Sequence, residues 1–272
     1  RLDRTTLFTE DRALSENLRT LLKSMPDMER ALSRLSVGRG GPRDLTMIRD
    51  GLTQSESIRS AIQVHENAKT ALSDALNALK NLPKLSELQD KLKAALAEQP
   101  PILARDGGFI AEGYFKKLEE LKMLTTESKR VIDYLQSDYQ KQTGIDALKI
   151  QFNNVLGYFS EIPAKKADPL MNTGPEIIFS HRQTLANAVR FTTTQLAELE
   201  RDISSAGEKA LAIELEIFEE LSNKCTTLSE EICTRARAIA TLDVSSALAT
   251  LANQMDYCRP NLDNSLAFNI EG

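Results

Sequence analysis

The sequence has no tryptophan, and phenylalanine and tyrosine together make up only 5% of its 272 residues. Ala, Leu, Glu, Lys and Arg dominate instead, a composition that favours long helices packed on helices. Cysteine is scarce. Cys225, Cys233 and Cys258 are odd in number and far apart, with no C-x-x-C pair, and the two histidines, His65 and His181, are isolated. Neither a disulfide framework nor a zinc site has the ligands it needs, and the cysteines read as thiols in a reduced compartment. No apolar run approaches the roughly 20 residues that span a bilayer. No secretory leader is seen either. The first residue is Arg1 rather than Met, so the chain reads as a piece of something longer.

Catalytic patterns are also missing. Gly38-Arg39-Gly40-Gly41-Pro42 is rich in glycine, but no Gly-Lys-Ser/Thr follows, so it reads as a loop rather than a phosphate cradle. The acidic neighbours Glu219-Glu220 and Glu230-Glu231 sit on long helical patterns and read as solvated faces. No nucleophile–base or metal constellation is apparent, and the chain is expected not to be an enzyme.

What is present is 41% hydrophobic and 27% charged residues, enough for a folded core, with a net charge of −5. That sign argues against a whole surface built for nucleic acid. The charge is uneven, however. Between Ile145 and Thr194 lie Lys149, Lys165, Lys166, Arg182 and Arg190 against Asp146, Glu161, Asp168 and Glu176, a net of +1. This segment is neutral to slightly basic within an acidic chain.

Periodicity gives the layout. Apolar residues at helical spacing run from Asp11 to Leu35, with Pro26 opening a second helix and Asp27 in its first turn. Further helices are expected at 44–64, 68–79 and 84–97, the last stopping before Pro100-Pro101. After the Asp106-Gly107-Gly108 turn, a helix about 45 Å long should run from Gly113 to Gln142 on Tyr114, Leu118, Leu121, Leu124, Val131, Leu135 and Tyr139. Gly144 closes it. The period then changes to two. Leu148–Phe152, Gly157–Ile162, Ile177–Leu185 and Val189–Thr193 read as short strands, with Asn153-Asn154 a turn and Pro163–Pro175 a polar loop. From Leu196 the helical signal returns as a heptad seam through Leu199, Ile203, Ala206, Ala210, Ile213 and Ile217, extended by Leu221, Cys225, Leu228 and Ile232. A helix of about 45 residues is expected there, antiparallel to the one that precedes the strands. A short helix from Asp243 to Met255 follows. The fold class is mainly α, with long antiparallel helices, a helical core and an inserted small antiparallel β-domain. Its segments are 1–144, 145–193 and 194–272.

Several stretches, in order, resemble the MutS family of DNA mismatch repair proteins. They are 27–35 (Asp27-Met28-Glu29-Arg30-Ala31-Leu32-Ser33-Arg34-Leu35), Pro42-Arg43-Asp44-Leu45, Arg105-Asp106-Gly107-Gly108 with Gly113-Tyr114, Thr143-Gly144-Ile145 before Leu148-Lys149-Ile150, and Arg182-Gln183-Thr184-Leu185 before Asn187-Ala188. The resemblance implies a helical core that emits two lever helices, with a β-rich clamp between them that closes over duplex DNA and touches its backbone. It further implies that the chain begins inside the core domain and stops at the threshold of an ATPase domain. Mismatch reading, ATP and Mg, dimerisation and a MutL partner then belong to the full-length protein. A bacterial, cytoplasmic location goes with it. No cofactor is expected in this chain.

Phosphate contact needs cationic and amide side chains on short rigid elements. The resemblance singles out Arg182, Thr184 and Asn187, and their chemistry adds Lys149, Asn154, Arg190, Lys165 and Lys166. Two departures stand out: Ala186 replaces a frequent Lys, and Val189-Arg190-Phe191 replaces Glu-Arg-Tyr. Each candidate also has a plainer reading as a solvated surface group, and His181 reads as a polar strand residue or a further phosphate contact. The alternative function is a helical adaptor whose β-tip binds another protein.

Overall fold

The computed structural model describes residues 1–153, 155–171, 179–266 and 268–270. In chain order the helices are α1 (Leu2–Glu10), α2 (Arg12–Leu22), α3 (Met28–Ser36), α4 (Pro42–Gln63), α5 (Glu66–Ala71), α6 (Ser73–Ala78), α7 (Pro83–Ala95) and α8 (Lys116–Thr143). The strands β1 (Lys149–Asn153) and β2 (Gly157–Pro163), the short α9 (Asp168–Met171), and β3 (Ser180–Thr184) and β4 (Ala188–Thr192) follow. α10 (Thr194–Thr227) and α11 (Ser229–Met255) complete the order, so the fold is mainly α with a small antiparallel sheet. No helix of the described residues is long and apolar enough to cross a membrane. The chain forms two compact units, one of Arg1–Ala104 with Phe218–Gly272 and one of Arg105–Ile217.

In the first unit, α11 packs against α1, α2, α3, α4 and α6, while α4 packs against α2, α3, α5, α6 and α7. Gly51 of α4 allows α3 to approach closely, since a Cβ there would overlap the Met28 side chain. Asp27 does not lie in the first turn of α3 as expected. It is the N-cap, and its Oδ1 accepts the Arg30 N–H at 2.9 Å. A carboxylate does more there, because it satisfies a helix N–H that has no intrahelical acceptor. The 68–79 helix is broken at Leu72, whose side chain is fully buried. Arg235 of α11 is also buried. It donates to Ser55 Oγ at 3.0 Å and to the Lys80 carbonyl at 2.7 Å, and burial lowers its guanidinium pKa.

The 45-residue helix and the separate helix from Asp243 are corrected. α10 ends at Thr227, and α11 runs unbroken from Ser229 to Met255. The break is the single residue Leu228, at φ −101° and ψ 26°. No Gly or Pro marks it, and the apolar stripe passes straight through. Within that stripe Cys225 is buried, and burial pushes its thiol up to about 12, which leaves it chemically inert near neutral pH.

The second unit is built on α8, about 42 Å long, and the part of α10 that precedes Phe218. The two run antiparallel. Tyr139 Oη meets Thr193 Oγ1 at 2.7 Å at one end, and Lys122 Nζ meets Glu214 Oε1 at 3.0 Å at the other. Burial raises the Tyr139 pKa, which keeps its hydroxyl neutral. The seam of α8 runs through Leu118, Ser128, Leu135 and Tyr139, all buried, whereas Leu124 and Val131 are exposed, against expectation. A 3.5-residue period drawn between Leu118 and Tyr139 passes through the small Ser128 and leaves those two apolar residues to one side.

The sheet is antiparallel with strand order β1-β2-β4-β3. One face packs into a core of Leu135, Tyr139, Ile145, Leu148, Ile162, Phe179, Val189, Phe191 and Leu196. Phe179 stacks edge-on to both Tyr139 and Phe191, with ring centroids 5.5 and 6.0 Å apart. The expected polar loop after Pro163 is partly structured. A 3-10 turn at Ala164–Lys166 and α9 send Ala167 and Leu170 into this core. The loop's remainder and the start of the expected third strand, residues 172–178, lie outside the described residues.

Candidate nucleic-acid interface

Register decides which side chains share a surface. Lys149 stands opposite Glu161, Glu161 opposite Arg190, and Arg190 opposite Gln183. Directly opposed residues project to the same side of a sheet, so these four form one polar row across all four strands. The next row, Ile150, Ser160, Phe191 and His181, belongs to the other face, where Phe191 is in the core. The polar row therefore faces away from the core.

Arg190 is engaged within this row. Its Nε donates to Glu161 Oε2 at 2.9 Å and its Nη1 to Gln183 Oε1 at 3.0 Å. Its guanidinium carbon lies 4.5 Å from the centre of the Phe159 ring. The guanidinium covers one side of Phe159, which is only 2% exposed although it lies on the outer face. Arg182 differs. A register shift between His181 and Gln183 leaves it unmatched in the ladder, and its side chain is exposed. His181 bridges the irregularity through a 2.9 Å hydrogen bond between its Nε2 and Thr184 Oγ1.

The hairpin between β3 and β4 is closed by the Leu185 N–H donating to the Ala188 carbonyl at 2.8 Å. The Asn187 carbonyl in turn accepts the Ala164 N–H at 3.0 Å. This bond places the turn carrying Lys165 and Lys166 beside the hairpin carrying Thr184 and Asn187, at one end of the sheet. All four side chains are exposed, as is Lys149. Among the described residues none of Lys149, Lys165, Lys166 and Arg182 is ion-paired. The structure thus gathers Thr184, Asn187, Lys165 and Lys166 at one end, with Lys149, Arg182 and Arg190 along the strands. Asn154 lies outside the described residues.

Glu161, Gln183 and Phe159 were not singled out from the sequence. Alternation places each on a strand, but only the pairing register reveals that they hold Arg190.

A family model described as MutS domain III matches residues 1–249. The chain belongs to the MutS domain III family. It is 44% identical over its full length to the DNA mismatch repair protein MutS of Rhodopseudomonas palustris, covering 29% of that protein. It is 43% identical to the MutS proteins of Nitrobacter hamburgensis and Nitrobacter winogradskyi, covering 30% of each. The chain spans less than a third of the length of these relatives.

The stretches that resemble MutS divide by what they do in this domain III chain. Asp27 caps α3 and Met28 packs on Gly51. Asp44 accepts the Gly41 N–H at 2.8 Å and pairs with Arg34 at 3.2 Å, while Arg43 donates to the Pro100 carbonyl at 3.2 Å. Gly107 and Gly108 take the left-handed φ values 65° and 75°, and the Gly108 N–H donates to the buried Glu214 carboxylate at 2.5 Å. Gly144 ends α8 with φ 66°. Each of these residues has an internal task. The last stretch does not follow the pattern: every side chain from His181 to Asn187 is exposed.

Proposed function

We propose that this chain is the DNA-holding part of a mismatch repair protein, in which the sheet of the second unit is a clamp that contacts the duplex backbone without reading bases. The observation that carries this reading is the stretch from Arg182 to Asn187. Key residues of the other MutS-like stretches cap, pack or turn, whereas this one is exposed throughout and presents a cation, a hydroxyl and an amide to solvent beside Lys165 and Lys166. Such groups on rigid β-elements suit phosphate oxygens. β3 offers Ser, His, Arg, Gln and Thr and no apolar side chain, which disfavours the docking of another protein on that edge.

In this proposal Arg182, Thr184, Asn187, Lys165, Lys166 and Lys149 supply the contacts. The chain has no catalytic centre or cofactor of its own. Mismatch reading, ATP hydrolysis with its Mg, dimerisation and MutL binding are tasks of the whole bacterial protein, in the cytoplasm. The chain binds matched and mismatched duplexes alike, with a Kd in or above the non-specific range of about 10⁻⁴ to 10⁻⁶ M. The test is duplex affinity across a salt series for the chain and for Arg182→Ala. Loss of one phosphate contact flattens the slope of log K against log salt by about 0.9, which corresponds to about 3.5-fold between 50 and 200 mM. A binding constant indifferent to salt, or a tenfold preference for a mismatch, rejects the proposal.

A further inference from the structure

The outer face of the sheet holds a carboxylate where a phosphate-binding surface gains nothing from one. Glu161 lies in the middle of the polar row, on β2, with Lys149 directly across from it on one side and Arg190 on the other. The Arg190–Glu161 pair is 2.9 Å long, and its side chains retain 21% and 27% of their exposure, so both reach solvent on the face that also carries Lys149. Gln183 and the Phe159 ring hold the same guanidinium from two further directions. Arg190 is therefore fixed in place with its charge already matched.

We propose that Glu161 is a built-in brake on the DNA affinity of the clamp, an inference that rests on the DNA-contact reading above. A phosphate that approaches Arg190 must compete with a carboxylate of the same charge, one covalently tethered at contact distance. Exchanging one anion for the other leaves the local charge unbalanced by Glu161 itself, so little counterion release accompanies the contact. Counterion release is the source of salt-dependent affinity. The clamp then draws its electrostatic grip from Arg182, Lys165, Lys166 and Lys149, while Arg190 and Glu161 shape the face without adding to the hold. A clamp that must also let go benefits from such a limit.

The experiment uses the 272-residue chain, a matched DNA duplex of about 30 base pairs and a salt series from 50 to 200 mM. Glu161→Gln keeps the shape and a hydrogen-bond acceptor for Arg190 while removing the charge. Its slope is expected to be steeper than wild type by about 0.9, so the ratio of mutant to wild-type affinity grows about 3.5-fold as salt falls across the series. Glu161→Thr, an uncharged residue that favours strands, should give the same shift and guards against a folding defect peculiar to the amide. Glu161→Gln combined with Arg190→Gln replaces one neutral pair by another and should return the wild-type slope. An unchanged slope in folded Glu161→Gln and Glu161→Thr overturns the brake, and so does a double variant as steep as the single one. Failure of the DNA-contact reading has a different signature: wild-type binding without salt dependence, and no effect of Arg182→Ala.

Discussion

The two edges of the four-stranded sheet are treated in opposite ways. At the start of β1 the outward backbone is capped by side chains of α8. Gln136 Oε1 accepts the Ile150 N–H at 2.9 Å, and Gln140 Nε2 donates to the Leu148 carbonyl at 2.8 Å and the Asp146 carbonyl at 3.1 Å. At β3 no further strand among the described residues pairs with the outer edge; all five residues are exposed, and the ladder is irregular at Arg182. An open edge invites pairing with another chain, and charged side chains and irregular register are the usual protection. Under the proposed function, the same features that keep a second strand away would present a cation to a phosphate. The contrast separates an edge covered by the fold from an edge left open.

The strongest way to break this contrast is to strip the open side of charge. Combining Arg182→Ala, Lys165→Ala and Lys166→Ala should flatten the salt slope by about 2.7, about 40-fold in affinity between 50 and 200 mM, with the melting temperature nearly unchanged. A full slope in the folded triple variant would move the DNA contacts elsewhere. A smaller effect of the opposite kind is expected at the closed edge. Gln136→Ala leaves the Ile150 N–H without its acceptor and should cost about 1 kcal/mol, a drop of about 2–4 °C in Tm, with the salt slope intact. Urea melts and the same binding series measure both, and a changed slope would show that the edges are not separate in function. The smallest effect belongs to the flank of α8 that leaves its seam. Leu124→Gln and Val131→Gln should each shift stability by less than about 0.5 kcal/mol by urea melts, because both side chains are already exposed. A larger loss would mean that the seam runs through them.

The element types of this fold were largely legible in the sequence, because helix and strand periods are written in the apolar pattern. The change from 3.6 to 2 after Gly144 located the sheet, and the heptads after Leu196 located α10. The misreadings share one cause, which is that burial depends on neighbours that a single segment does not name. Ser128 lies on the seam although it is polar, and Leu124 lies off it although it is apolar. Leu228 breaks a stripe that looks continuous. At the candidate interface the cations were visible as residues, but their pairing was not. Arg182 and Arg190 look equivalent in sequence. Only the strand register shows that one faces Glu161 and the other stands unmatched.

The 2.7 Å bond between Tyr139 and Thr193 also has an engineering consequence. It holds the chain's departure into the strands and its return from them one side chain apart. A cassette whose two ends meet can be exchanged without re-spacing its host. Residues 145–192 should be replaceable by a short turn that joins α8 to α10, provided that Leu135, Tyr139 and Leu196, which the sheet now covers, are made polar. The helical pair then becomes a bare stalk, a mount on which other small β-domains with adjacent termini can be set.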